Sequence, residues 1–158
     1  YPKFQSEGFA AKFAMPFAQQ VLRGTGYDIG CNRKEWAFVD SLGVPAIPID
    51  PVFSTAYDAY SLPEMSVDYI FSSHCLEHLP DWVSALDYWA TKIRRGGVLF
   101  LYLPDYSQTY WRVFSNRKHI HTFSPQLIKD YLIDRGWNTI FASERDLNNS
   151  FMVMASKP

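Results

Sequence analysis

Val67-Asp68-Tyr69-Ile70-Phe71-Ser72-Ser73, then His74-Cys75-Leu76-Glu77-His78-Leu79-Pro80-Asp81, then Arg95-Gly96-Gly97-Val98-Leu99-Phe100-Leu101-Tyr102-Leu103 is the stretch that decides the fold. Residues 67–73 form an apolar run of strand length. Residues 98–103 are apolar on both faces, the pattern of a buried central strand. Between them Asp81 is placed to cap a helix with Val83, Leu86, Ala90 and Ile93 on its inner face. Arg94 and Arg95 suit the negative end of that helix, and Gly96-Gly97 releases the chain. Two buried strands joined through a helix make a parallel crossover, the unit of an α/β sheet.

Reading outward, residues 27–31 give an earlier strand that runs into a turn. A helix over residues 33–42 follows, with Gly43 as its C-terminal cap, and a strand over residues 44–50 comes next. Pro45 and Pro48 place that strand near an edge of the sheet. Residues 51–66 hold no good helix, and a brief third strand is expected near residues 54–57. Before all of these, Phe9, Phe13, Phe17 and Val21 recur every four residues and share one helical face, which Pro16 should kink or restart. This phenylalanine row reads as a packed face or, less simply, as a lid.

Toward the C-terminus, Ser124-Pro125 starts a helix with the apolar stripe Leu127, Ile128, Tyr131 and Leu132, and Gly136 ends it. Two last strands, 137–143 and 150–156, flank Asn148-Asn149, a pair that tolerates the positive φ of a tight reversal, so they should pair antiparallel. The expectation is one domain over residues 1–158: a helical segment over 1–24, then sheet and helices over 25–158. The fold class is α/β, a Rossmann-like seven-stranded and mostly parallel sheet. Its last strand is antiparallel, its helices cover both faces, and its third-strand region is shortened.

Composition narrows the function. The 158 residues are 47% apolar and 20% charged, which excludes a disordered or fibrous chain. Fifteen basic against 16 acidic residues, a net charge of −1, give no global field to draw the chain onto nucleic acid or an anionic membrane. No apolar run approaches the roughly 20 residues that span a bilayer. Neither nucleic acid nor membrane is therefore an expected partner. The chain begins without Met and without a basic-then-apolar leader, so a trimmed or incomplete chain is expected, and with its two cysteines the plain reading is a reduced, cytoplasmic protein. Cys31 and Cys75 cannot build a disulfide framework, and two thiols make a poor metal site, so no metal is expected.

In an open α/β sheet the ligand lies beyond the carboxyl ends of the strands. The polar residues there are Asp28, Gly30, Cys31 and Asn32 after the first strand, Asp50 after the second and Asp58-Ala59 after the third. Ser72, Ser73 and His74 follow the fourth, and Asp105 the fifth. Acidic groups at neighbouring strand ends suit a ligand with a cationic group and free hydroxyls. The segment from Asp105 to His121 adds Tyr106, Tyr110, Trp111, Arg112, Asn116, Arg117, Lys118 and His119. An aromatic wall with cations fits an acceptor carrying a carboxylate, phosphate or sugar ring, and reads equally as a solvated basic surface.

These residues resemble the class I S-adenosylmethionine-dependent methyltransferases. Asp28-Ile29-Gly30-Cys31 with Asp50 is similar to the cofactor site of that superfamily. The run from Val67 to Leu79 looks like the same element in its small-molecule branch, and the similarity covers roughly residues 27–157. The resemblance implies S-adenosyl-L-methionine as cofactor, with Asp28, Gly30, Cys31 and Asn32 around its methionine part. It implies Asp50 on the ribose hydroxyls, Asp58 and Ala59 at the adenine, and Ser73 beside the sulfonium. Phe53 and Leu62 are offered as an adenine sandwich. His74, His119 and His121 are candidate bases for a hydroxyl acceptor. Family members carry three alternate glycines in the first turn; here Asn32 and Lys34 replace the second and third.

Structural alternatives remain open at each position. Asp50 and Asp58 read also as turn caps, His74 as a structural histidine, and Glu77 and His78 as the opening of the next helix. The acceptor is expected to be a small molecule, anionic or glycan, methylated by in-line displacement. No Asn-Pro-Pro-Tyr turn follows the fourth strand, which argues against amide or nucleobase amino groups. The alternative is a catalytically inactive binding or assembly module of the same fold. A nicotinamide oxidoreductase is disfavoured, since Gly24 and Gly26 precede the first strand and Ile29 holds the third position. The oligomeric state is left open.

Overall fold

The computed structural model describes residues 9–39, 43, 45–53, 55–109, 112–113 and 118–158. Three helices and six strands follow in the order α1 (Ala11–Val21), β1 (Gly26–Ile29), β2 (Ile47–Ile49), β3 (Val67–Ser73), α2 (Trp82–Lys92), β4 (Ile93–Pro104), α3 (Pro125–Asp134), β5 (Asn138–Ala142) and β6 (Ser150–Ser156). The sheet runs β2-β1-β3-β4-β6-β5. The first four strands are parallel, and β6 is antiparallel to both β4 and β5. This is the expected Rossmann-like α/β sheet with an antiparallel closing strand, carrying six strands among the described residues rather than seven.

The difference lies in the third strand. Residues 51–53 and 55–56 turn, and among the described residues of this stretch the backbone pairs only Asp58 with Ser61, closing a four-residue reversal. Ser54 lies outside the described residues. β2 is thus the outer strand on that side, which explains how Pro48 sits within it.

Alternation along the central strands sorts side chains onto two dissimilar faces. Ile70, Leu99, Leu101, Phe151 and Val153 lie under α2 and α3, which contribute Ala85, Leu86, Trp89, Ile128 and Leu132. Tyr69, Phe71, Phe100, Tyr102 and Met152 line the opposite face together with Phe38. That face is raised by aromatic rings, so the helix above it approaches with small side chains. Ala14 and Ala18 of α1 and Leu22, which caps its C-terminus, are fully buried, whereas Phe17 and Val21 face solvent. The expected phenylalanine face is therefore rotated away from the core. Phe13 is half-buried against the cluster, and Phe9 stacks on Trp36 at 5.1 Å. Pro16 lies inside α1 without ending it.

Several local expectations are corrected. Instead of a helix over 33–42, Lys34–Trp36 makes one 3-10 turn and Ala37 leaves it at φ −60°, ψ 140°; residues 40–42 and Val44 lie outside the described residues. The inner face of α2 is Ala85, Leu86 and Trp89, and Val83 and Ala90 are only half-buried. Ile93, Arg94 and Arg95 already belong to β4, where Arg94 Nη1 meets Asp68 Oδ1 at 2.6 Å. Leu127 is exposed on α3. The Asp81 cap, which accepts from Ser84 N at 3.0 Å, and the Ser124 cap, which accepts from Leu127 N at 3.2 Å, are as expected. Gly136 at φ 72° ends α3, and Asn149 takes φ 55° in the final reversal.

Candidate functional site

From β1 the chain moves outward to β2 and then crosses back to β3, so the order of strands switches between β1 and β3. The loops that leave those two strands abut there. A Cβ on Gly30 would lie 2.5 Å from both Cβ and Sγ of Cys75, and Gly30 also takes φ 81°. Only glycine meets both demands.

Beyond Gly30 the first loop is held by carboxylates. Asp28 is buried in β1, and its Oδ2 accepts from Phe38 N at 2.6 Å, pulling the end of the loop back over the strand. Burial, with the Asp50 charge adding to it, pushes the Asp28 carboxyl up to about 7 against the pull of the Phe38 N–H. Asn32 adopts φ 62°, the left-handed conformation expected of a residue replacing glycine, and its N–H donates to Asp50 Oδ2 at 2.9 Å. Asp50 Oδ1 accepts from Val52 N at 3.0 Å. The Asn32 and Lys34 side chains are exposed. Cys31 is buried, and burial beside Asp28 and Asp50 pushes its thiol up to about 12, which makes it inert.

Asp58 Oδ1 caps its own turn by accepting from Tyr60 N at 2.8 Å. Ala59 is buried beneath the turn, and its carbonyl accepts from Trp89 Nε1 at 2.7 Å, fastening the turn to α2. Leu62 belongs to the core, and Phe53 is half-exposed. The suggested sandwich is therefore corrected on the Leu62 side.

The end of β3 is built differently. Ser73 Oγ is buried without a hydrogen-bond partner. His74 follows at φ 49°, with Nε2 2.9 Å from Ser150 Oγ. Ser150 in turn donates to the Asn148 carbonyl, and Asn148 Nδ2 donates to Tyr102 OH at 3.0 Å. Tyr102 OH donates to Asp146 Oδ2 at 2.6 Å. Burial, with His119 and His78 nearby, holds the His74 imidazole down at about 3. His74 is thus a neutral, weakly basic group fixed by the last hairpin.

Glu77 and His78 do not open α2, which Asp81 caps; they form the 3-10 turn Leu76–His78. The Glu77 carbonyl accepts from Ile120 N at 2.9 Å and His121 N at 3.3 Å, and His78 Nδ1 meets the Lys118 carbonyl at 2.7 Å. Residues 118–121 are thereby laid across the turn. Glu77 is fully buried, neither carboxylate oxygen has a hydrogen-bond partner, and burial pushes it up to about 8. Around its Oε1 stand His74 Nδ1 at 3.7 Å, His78 Nε2 at 3.7 Å and His119 Nε2 at 3.8 Å. His121 Nε2 faces the Pro80 carbonyl at 3.2 Å, with its ring beside Phe123.

The two candidate sets are thus brought to one end of the sheet. Asp28 near the end of β1 and Gly30, Asn32 and Asp50 beyond β1 and β2 form one set, and Ser73 at the end of β3 with His74, His119 and His121 beyond it forms the other. Sequence reasoning passed over Glu77 and His78 as helix openers. The signal available was the placing of all four histidines of the chain in two short segments, 74–78 and 119–121. In the loop after β4, Asp105 is buried and accepts from Ser107 N at 2.9 Å, while Tyr106, Arg112 and Lys118 are exposed. Tyr110, Trp111, Asn116 and Arg117 lie outside the described residues. Among the described residues no helix is long and apolar enough to cross a membrane.

Solved structures share this fold. A SAM-dependent methyltransferase from Archaeoglobus fulgidus superposes with a TM-score of 0.66 at 15% identity, covering 98% of this chain and 93% of that one. The N-methyltransferase NodS from Bradyrhizobium japonicum gives 0.63 at 12% identity over 99% and 98% of the two chains. Human N-acetylserotonin methyltransferase, solved in complex with SAM, gives 0.66 at 13% identity over 98% of this chain and 53% of that one. No curated protein matches in sequence. A family model described as a methyltransferase domain matches residues 9–141, which takes in α1, the switch point and the histidine segments, and the chain belongs to that family.

Proposed function

We propose that this protein transfers the methyl group of S-adenosyl-L-methionine to a hydroxyl of a small-molecule or sugar-type acceptor. The carrying observation is the junction beyond β1 and β2, where the left-handed Asn32 presents its N–H to Asp50. The residues fit the cofactor. Gly30 lets the loops that leave β1 and β3 close on each other at the switch point, and Asp28 underpins the first of them from below. Each Asp50 oxygen accepts one backbone N–H and keeps a lone pair, enough to accept both ribose hydroxyls. Asp58 and Ala59 form the turn assigned to the adenine, with Cys31 as an inert wall. Ser73 Oγ, buried and unpartnered, is the polar atom assigned to the methyl-bearing end.

When bound, the cofactor supplies an activated sulfonium methyl, so the work of the chain is to hold the acceptor oxygen in line with it and to exclude water. His74, locked on Ser150 and weakly basic, positions the acceptor side rather than taking a proton. His119 turns Nε2 toward Glu77. That leaves His121, half-buried on the same segment, as the group that accepts the hydroxyl proton. A cytoplasmic location suits the two free cysteines.

Titrating S-adenosylhomocysteine into the protein by calorimetry tests the reading. The wild type should bind one equivalent. Asp50→Ala should bind about 1–3 kcal/mol more weakly, through loss of charge-assisted bonds. One observation favours the second reading, an inactive binding module: both Asp50 oxygens already cap backbone N–H groups. Absence of any heat in the wild type would select it.

A further inference from the structure

We propose that Glu77, His78 and His119 bind one divalent transition-metal ion of the zinc class, through a Glu77 carboxylate oxygen and Nε2 of each imidazole. One ligand atom from each residue lies within 4.8 Å of the others. The separations of 3.7 and 3.8 Å from Glu77 Oε1 to the two nitrogens are too long for hydrogen bonds. They are close to the edge of about 3.4 Å that a tetrahedral zinc site with bonds of about 2.0–2.2 Å requires. A contraction of a few tenths of an ångström would bring the two edges to Glu77 to that length, and the edge between the imidazoles, within 4.8 Å, shortens with them when the ion binds.

The proton inventory points the same way. The Lys118 carbonyl can only accept, so His78 Nδ1 carries the hydrogen of that 2.7 Å bond. In the neutral ring this places a lone pair on Nε2, the side that faces Glu77. A ring protonated on both nitrogens would draw Nε2–H onto the carboxylate at about 2.7–2.9 Å. The 3.7 Å gap shows no such bond. A backbone carbonyl on the far nitrogen is also the outer support usual for a metal-bound histidine. Glu77 supplies the second, independent observation: a fully buried carboxylate with no hydrogen-bond partner for either oxygen.

Two imidazoles and one carboxylate leave a coordination position open, and among the three residues only His78 is exposed to solvent. Water, or the acceptor hydroxyl, would enter from that side. The second half of that statement rests on the methyl-transfer reading; metal binding itself does not.

The test uses the whole protein stripped with a chelator, without cofactor. Zinc chloride should bind at one equivalent by calorimetry, and cobalt(II) should give the intense visible bands of a low-symmetry nitrogen–oxygen site. His119→Ala and His78→Ala should each weaken zinc binding about 100-fold or more, beyond the 10- to 100-fold that loss of a supporting partner costs. Glu77→Gln keeps the shape of the buried side chain and should do the same, and circular dichroism on each variant verifies the fold. His121→Ala should bind zinc as the wild type does. No stoichiometric zinc binding, or binding that survives His78→Ala and His119→Ala, overturns the proposal. Zinc binding without S-adenosylhomocysteine binding would leave the metal site standing and overturn the methyl-transfer reading alone.

Discussion

The loop beyond β1 and the turn beyond β3 occupy the same end of one sheet and are built on opposite principles. Around β1 the described polar groups are satisfied internally: Asp28 takes Phe38 N, and Asp50 takes Asn32 N and Val52 N. Beyond β3, Ser73 Oγ and both Glu77 oxygens are buried without hydrogen bonds. Most buried polar atoms in folded proteins are paired, so unpaired ones concentrated at a strand end mark where a ligand completes the structure. The first region is a preformed cradle that a ligand enters. The second is a set of unpaired polar atoms that a ligand finishes.

The sharpest way to break this contrast is at the seam. Gly30→Ala combines a left-handed backbone with a Cβ 2.5 Å from Cys75, and should destabilise the fold by about 2–5 kcal/mol in urea unfolding. Gly43→Ala, at φ 78° with open space around it, should lose only about 1 kcal/mol. Equal losses at the two positions would show that the loops do not abut as described.

Asp28 gives the next effect, through pH. Its carboxyl titrates at about 7 in the folded chain against 3.8 in the unfolded one. Below pH about 4 it is protonated in both states and costs nothing. Between about 4 and 7 the unfolded state ionises first, so stability falls as pH rises, and above that the penalty is constant. Asp28→Asn, neutral throughout, should therefore gain on the wild type across that window and lead by roughly 2–4 kcal/mol at pH 8. A gap independent of pH in parallel melts would mean that Asp28 is ionised in the folded protein.

Asn32→Gly is the smallest change. It relieves a φ of 62° and should stabilise by no more than about 1 kcal/mol, while opening the loop and tightening S-adenosylhomocysteine binding. Weaker binding would show that the Asn32 side chain contributes a contact.

Much of this architecture was legible because it is written in local chemistry. The βαβ unit from Val67 to Leu103, the Asp81 and Ser124 caps, and the final antiparallel pair all follow from apolar runs bounded by caps and turn residues. The left-handed role of Asn32 followed from its place in a glycine pattern. What failed depended on tertiary partners. The buried face of α1 is not legible from spacing, because an aromatic sheet surface selects Ala14 and Ala18 over the larger Phe17 and Val21. Among the described residues 33–39 one 3-10 turn stands in place of the expected helix, with Asp28 recruiting Phe38 N and holding that stretch over β1. The Glu77 cluster joins residues about 40 positions apart, and no periodicity reports on such a meeting.

The central claim, a nucleoside held across the ends of β1 and β2, is tested most directly by the backbone amide spectrum of the isotope-labelled protein during titration with S-adenosylhomocysteine. The largest shifts should fall on Gly30, Asn32, Val52 and Tyr60, the amides that surround Asp50 and Asp58. Shifts confined to residues 118–121, or a spectrum unchanged at saturating ligand, would contradict it.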